Sequence, residues 1–119
     1  MSAPIVNVGL VSNIFVRQMH FELTGDTELG HKHNFDHITL LAKGKLKVKV
    51  NDQETEYTAP TMIYIRAELN HELTAMSDNT VAYCVHGLRD MNKSDDIIDP
   101  LSIPAGSELR SLIGQIVAN

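Results

Sequence analysis

Four histidines in this 119-residue chain are spaced so that their imidazoles could meet at one point. They are His31, His33, His37 and His71. Because alternate residues of a β-strand point to the same side, His31 and His33 can face one point together. The turn-forming residues 34–36 can bring His37 back to that point, and His71 begins another β-rich run. The spacing is thus typical of imidazoles converging inside a barrel; the alternative is surface or hydrogen-bonded histidines near a strand end.

The segments that must hold these histidines are predicted to be short β-strands. In Lys45–Val50, three charged residues alternate with three apolar ones, which predicts a strand with one wet face and one core face. Gly44 before it and Asn51-Asp52 after it are turn residues. Further strands are predicted at 14–23, 37–42, 55–58, 62–66, 71–75 and 80–85. This pattern predicts an all-β fold, an antiparallel barrel of six to eight strands with at most one or two short helices.

The histidine run resembles the first sequence motif of the cupin family. In this chain the motif reads Gly25-x5-His31-x-His33-x3-His37-x6-Gly44. Every spacing of the family motif is kept, and His37 stands where the family usually has glutamate. The second cupin motif aligns on His71, with the apolar pattern of Ile63 and Ile65 before it. The resemblance implies a cupin-type antiparallel β-barrel, also called a double-stranded β-helix or jelly roll, with a divalent metal bound inside.

The same resemblance implies a set of metal ligands. Carried over residue by residue, it gives His31, His33 and His71 as ligands, with His37 in the position of the usual carboxylate. Four neutral imidazoles would leave the +2 charge of the metal uncompensated and so raise its Lewis acidity. Imidazole ligands suit divalent iron, nickel, copper and zinc. Alternatively, His37 lies beside a three-histidine centre, as in some dioxygenases of this fold.

Other residues are candidates for the pocket around the metal. Cys84 and His86 share one side of the predicted last strand, where small cupins often line the pocket, so we expect both to point inward. His86, nearer the mouth, is the candidate general base because imidazole titrates near neutral pH. The alternatives are that Cys84 is a small core residue and His86 a partly exposed strand end. Tyr64 is either a pocket-lining acid or a surface aromatic, and Phe35 is predicted to cover the metal.

Charge and composition narrow the class of partner to a small molecule. The net charge is −5, whereas phosphate binding needs a basic face, so we expect no nucleic acid and no anionic membrane surface. Cys84 is the single cysteine, so an internal disulfide is impossible. The apolar stretch 3–16 lacks a basic flank and is too short to span a bilayer, which predicts a cytoplasmic protein. The low charge of residues 5–16 also predicts a homodimer formed by pairing of this strand with a partner sheet.

We expect a single cupin domain over 1–119, with the barrel core at about 14–88 and a C-terminal arm at 89–119. In the arm, 107–117 places apolar residues at helical spacing after Ser107, a plausible N-cap, which predicts one short helix.

Three functional interpretations remain open. The leading one is a metal-dependent enzyme that acts on a small oxygen-bearing molecule by dioxygenase, lyase or isomerase chemistry. The second is a non-catalytic metal-binding, ligand-binding or accessory protein, and the histidine pattern also resembles small cupins of tailed phages. The third is a sugar or uronate isomerase, although short cupins of that type carry polar or charged groups at the positions of Cys84 and His86.

Overall fold

The computed structural model describes residues 2–31, 37–66 and 69–87. Every regular element in these ranges is a β-strand. The nine strands are β1 Ile5–Val11, β2 Ile14–Phe21, β3 Thr27–His31, β4 His37–Lys43, β5 Lys45–Val50, β6 Gln53–Thr58, β7 Thr61–Ile65, β8 His71–Ala75 and β9 Thr80–Gly87. The all-β prediction is therefore confirmed over these ranges. The predicted six to eight strands are too few, because the apolar N-terminal stretch folds back as the separate strand β1 and the residues up to His31 form β3.

The strands form two antiparallel sheets that enclose one core. The five-stranded sheet has the order β1-β2-β9-β4-β7, and the four-stranded sheet has the order β3-β8-β5-β6. Consecutive strands such as β2, β3 and β4 lie in alternate sheets, which gives the jelly-roll arrangement. The core comprises Phe15, Met19, Phe21, Leu41, Leu46, Val48, Ile63, Ile65, Leu73, Ala75, Ala82 and Cys84.

Strict alternation in the sequence determines which side chains enter this core. On β5, Leu46 and Val48 are buried while the three lysines lie on the opposite face. On β2, one buried residue follows every partly exposed one, so the strand presents a continuous inner face to the core. The predicted bounds of β5 and β8 are confirmed without change.

Turn residues set the register of the central hairpins. Asn51 and Asp52 have φ angles of 47° and 71°, the left-handed conformation that a two-residue hairpin turn needs and that Asn and Asp tolerate. Gly44, between β4 and β5, has φ of 87°. A Cβ atom at Gly44 would lie 2.8 Å from Ser77 Oγ and closer still to Thr80 Oγ1, so both conformation and space require glycine there.

Two predictions fall outside the part of the chain that the structure describes. They are the C-terminal arm at 89–119 and the short helix at 107–117 within it. In the described residues, no helix is long and apolar enough to cross a membrane.

Candidate metal centre

Two of the predicted ligands, His37 and His71, meet inside the barrel. His37 is the first residue of β4 in one sheet, and His71 is the first residue of β8 in the other. Both are 3% exposed, and their ring centroids lie 5.1 Å apart at an interplanar angle of 49°. The two sheets therefore bring together imidazoles that are 34 residues apart in the chain.

The backbone of a third predicted ligand is placed beside this pair. His31 ends β3 and is the register partner of His71 in the neighbouring strand β8. The register shifts between Glu28 and His31, so a β-bulge separates His31 from the regular part of the ladder. The side chain of His31 and the whole of His33 lie outside what the structure describes, so the four-histidine ligand set stays a prediction.

The geometry of the His37–His71 pair fits a shared metal ion. Two imidazoles bound to one metal at about 2.1 Å per nitrogen have ring centroids roughly 4.5–5.2 Å apart, which includes the observed 5.1 Å separation. His71 Nδ1 lies 3.3 Å from Leu69 O. A proton on Nδ1 would donate to this carbonyl and leave the lone pair on Nε2 as the ligand, the usual arrangement for a metal-bound histidine. Among the described side chains, no group of three or more His, Cys, Asp or Glu is placed to hold a metal.

His86 lies next to this pair on the inner face of the five-stranded sheet. It is 6% exposed, and its ring centroid is 5.1 Å from that of Phe15, its cross-strand partner. Since Ile38 pairs with Val85, the next positions along β4 and β9 are His37 and His86. The prediction that His86 points inward is confirmed, whereas its role as a base remains a prediction.

The barrel also holds a buried ion pair that the sequence reasoning missed, and its arginine lies two residues along β2 from Phe15. Arg17 Nη2 lies 2.9 Å from Glu28 Oε1, and the two side chains are 5% and 14% exposed. The pair connects β2 of one sheet with β3 of the other. The alternation of β2 indicates that Arg17 points inward, because it lies on the same side of the strand as the core residues Phe15 and Met19.

Comparison with known proteins adds the fold family. No protein-family model and no curated protein sequence matches the chain. Among solved structures, it is similar to an RmlC-like cupin family protein with a double-stranded β-helix fold from Methanocaldococcus jannaschii, at 12% identity and a TM-score of 0.64, over 73% of this chain and 82% of that one. The fold is that of the cupins.

Two further solved structures support the cupin fold. One is a cupin-2 domain protein from Shewanella frigidimarina, at 16% identity and a TM-score of 0.59, with 73% of this chain and 83% of that chain covered. The other is an uncharacterised double-stranded β-helix protein from Klebsiella pneumoniae, at 19% identity and a TM-score of 0.63, with 71% and 76% covered. Likeness at these identities shows the architecture alone.

The structure differs from the prediction at one pocket position of the cupin barrel, Tyr64. Tyr64 is 62% exposed on the outer face of β7, while its neighbours Ile63 and Ile65 face the core. The prediction that Tyr64 lines the pocket is therefore wrong, because its position in the alternation of β7 points it to the outside. Phe35 lies outside the described residues.

Cys84 points into the cupin barrel, as predicted. It is 5% exposed, and its Sγ lies 3.5 Å from Thr39 Oγ1 on the adjacent strand. Burial raises the pKa of the Cys84 thiol and outweighs the opposing effects of the Thr39 hydroxyl and the Arg17 charge. The thiol is therefore neutral at ordinary pH.

We expect Cys84 to resist thiol reagents in the native protein. The thiolate is the reactive form, and burial both suppresses it and blocks access. Ellman's reagent at pH 8 should label the native protein far more slowly than the denatured chain, where the single cysteine should react completely. Stability should also fall as the pH rises above the ordinary thiol pKa, because the native state retains a proton that the unfolded chain releases. Rapid stoichiometric labelling of the native protein would contradict this description of the barrel interior.

Proposed function

We propose that this chain binds one divalent transition metal inside the cupin barrel and acts there on a small oxygen-bearing molecule. The observation that supports the proposal is the buried contact between His37 and His71, two imidazoles from opposite sheets at a separation suited to one metal ion. Neutral imidazole is the commonest metal ligand in proteins, so two buried imidazoles brought together from opposite sheets are well placed to share a metal ion.

The proposed ligands are His31, His33, His37 and His71. The register of β3 and β8 supports including His31, because it places its backbone directly opposite His71. The ligand set is nitrogen-only and carries no charge, which suits iron, nickel, copper or zinc rather than magnesium or calcium. When bound, such a metal supplies Lewis-acid activation of an oxygen-bearing substrate, or redox chemistry if it is iron or copper.

We assign His86 the role of general base in this proposal. It occupies the inner position next to His37 on β9, and its ring packs against Phe15, which shields one side from water. A buried imidazole in this place can accept a proton from a substrate held between it and the metal ligands.

Metal analysis of the full chain, purified without a metal-affinity tag, tests the proposal. We expect about one metal ion per chain, either as isolated or after loading with Fe(II), Ni(II), Cu(II) or Zn(II) and desalting. Iron as the native metal would favour oxygenase chemistry, and zinc or nickel would favour a lyase or isomerase. The His86→Gln variant should bind the same amount of metal as the parent. A chain that retains none of the four metals would overturn the proposed function.

A further inference from the structure

A cleft lies at one seam of the barrel, where β1 and β2 of the five-stranded sheet meet β3 of the other sheet. Two hydrogen bonds hold the N-terminal residues against β3, because Thr27 N donates to Ser2 O over 2.9 Å and Ser2 N donates to Asp26 Oδ1 over 3.2 Å. The volume of this seam cleft is about 450 Å³, and sites for small molecules measure roughly 300–1,000 Å³. Its size is therefore that of a small-molecule site.

The buried ion pair lines the seam cleft. Arg17 Nη2 donates to Glu28 Oε1 over 2.9 Å, and the two side chains are 5% and 14% exposed. Within the described residues this is the one polar contact of the guanidinium, and its buried Nε has no hydrogen-bond acceptor there. A buried donor without an acceptor costs free energy, so an oxygen atom of a bound molecule beside the guanidinium would be stabilising. Stability alone does not account for the pair, because apolar residues often replace a buried ion pair without loss.

The rest of the seam cleft is mainly apolar. Ala3, Pro4 and Val6 line it from the N-terminal segment, and Leu29 lines it from β3. The hydroxyl of Thr27, which also lines the cleft, already donates to Gly25 O over 2.9 Å. A few polar groups at one place within apolar walls are typical of sites that orient a small molecule by its polar end.

We propose that the seam cleft binds a small uncharged molecule with a primary carboxamide head and an apolar tail. The carbonyl oxygen of such a head accepts a hydrogen bond from Arg17, and its N–H group donates to the Glu28 carboxylate. The ion pair is neutral as a whole, so a neutral head adds no unbalanced charge. A carboxylate head would bring a second negative charge next to Glu28, in a chain whose net charge is already −5.

This proposal goes beyond the function proposed for the metal centre, because it concerns a second site. None of the described residues that line the seam cleft is a proposed metal ligand, and His86 does not line it. The two sites can therefore be tested separately, one by metal content and the other by binding of an organic probe.

Titration of the ¹⁵N-labelled full chain, followed by ¹H–¹⁵N NMR spectra, tests the seam cleft. The probes are hexanamide, hexanoate and hexylammonium, which share a tail and differ in the charge of the head. We expect hexanamide to shift the backbone amide signals of Val6, Thr27 and Leu29 in a saturable way, with a dissociation constant on the order of 1 mM. Hexanoate and hexylammonium should each bind at least tenfold more weakly.

Two variants and a matched control locate the binding. Ala3→Trp fills the cleft without changing the ion pair, and Arg17→Lys keeps the positive charge but loses the planar set of donors. Each should weaken hexanamide binding at least tenfold, and Ala3→Trp should retain the metal content of the parent. Ala42→Trp makes the same change at another exposed alanine, on β4, which β2 and β9 separate from β1, and should bind hexanamide like the parent.

Three results would overturn the proposal. The first is the absence of saturable shifts with hexanamide, as expected if residues outside the described ranges occupy the cleft. The second is tighter binding of hexanoate than of hexanamide, which would indicate an anion site. The third is unchanged hexanamide binding by the Ala3→Trp protein. If Arg17→Lys fails to fold by circular dichroism, Ala3→Trp and the comparison of the three heads still decide the outcome.

Discussion

The His71→Ala protein is expected to retain less than a tenth of a metal ion per chain, and His37→Ala to bind metal at least tenfold more weakly than the parent. Both imidazoles lie in the interior, where a lost ligand is not readily replaced by solvent. Changes to residues that merely support a ligand already cost 10- to 100-fold in metal affinity, so removing a ligand costs at least as much. Equilibrium dialysis with Zn(II), followed by elemental analysis, measures both values.

The His20→Ala protein is the matched control for these variants. His20 lies on the outer face of β2 with its Nε2 3.1 Å from Asn79 Oδ1, so its loss should leave metal binding unchanged. His37→Glu introduces the carboxylate of the usual cupin ligand set and should also retain metal. Binding by His37→Ala equal to that of the parent would contradict a four-histidine centre and favour a three-histidine centre with His37 beside it.

Metal occupancy of the parent should also depend on pH. Imidazole binds metal only when it is neutral, so occupancy should fall as the pH drops through the range in which histidine takes up a proton. The same titration with His20→Ala should give the same curve, because His20 lies on the outer face of β2 and is not part of the metal site.

The sequence predicts the fold well because periodicity directly reports which face of a strand is buried. The alternation of Lys45–Val50 alone shows which of its side chains face the core, and the strand in the structure has the predicted bounds. β1 was harder to predict. Ile5–Val11 carries few polar residues, so the sequence indicated a strand and predicted that it pairs with the sheet of a second copy. The structure pairs it with β2 of the same chain. A run without polar alternation does not specify its register.

The candidate site was predictable where the position of a residue along its strand determines whether its side chain points into the barrel. His37, His71, Cys84 and His86 are all buried, as their phase within β4, β8 and β9 required. The prediction that Tyr64 lines the pocket was wrong for a related reason. The apolar neighbours Ile63 and Ile65 indicated which face of β7 is buried. Tyr64 lies between them on the opposite face, so it cannot act in the pocket.

The ion pair between Arg17 and Glu28 lay beyond sequence reasoning for a different reason. The phase of β2 indicates that Arg17 is inside, yet its partner sits on another sheet and cannot be identified from local pattern. Pairing across a barrel depends on how the two sheets face each other, and this tertiary information appears only once both are assembled.

Breaking this ion pair should destabilise the protein strongly. Arg17→Met leaves the carboxylate of Glu28, 14% exposed, without its cation, and Glu28→Leu leaves the guanidinium, 5% exposed, without its anion. Removing one partner of a buried pair costs about 3–5 kcal/mol, because the remaining charge stays desolvated and uncompensated. For a chain of this size we expect the melting temperature to fall by about 10 °C or more. Thermal unfolding followed by circular dichroism measures it.

The double variant separates the value of the pair from the cost of breaking it. Arg17→Met/Glu28→Leu removes both charges and should recover most of the stability that either single variant loses, since well-packed apolar residues often replace a buried pair without loss. The surface pair provides the control. Lys47 Nζ and Glu54 Oε2 lie 3.9 Å apart with side chains 30% and 53% exposed, so Lys47→Met should change stability by less than about 1 kcal/mol. If Arg17→Met is no more destabilising than Lys47→Met, Arg17 is hydrated in solution and the barrel interior is more open to water than its burial indicates.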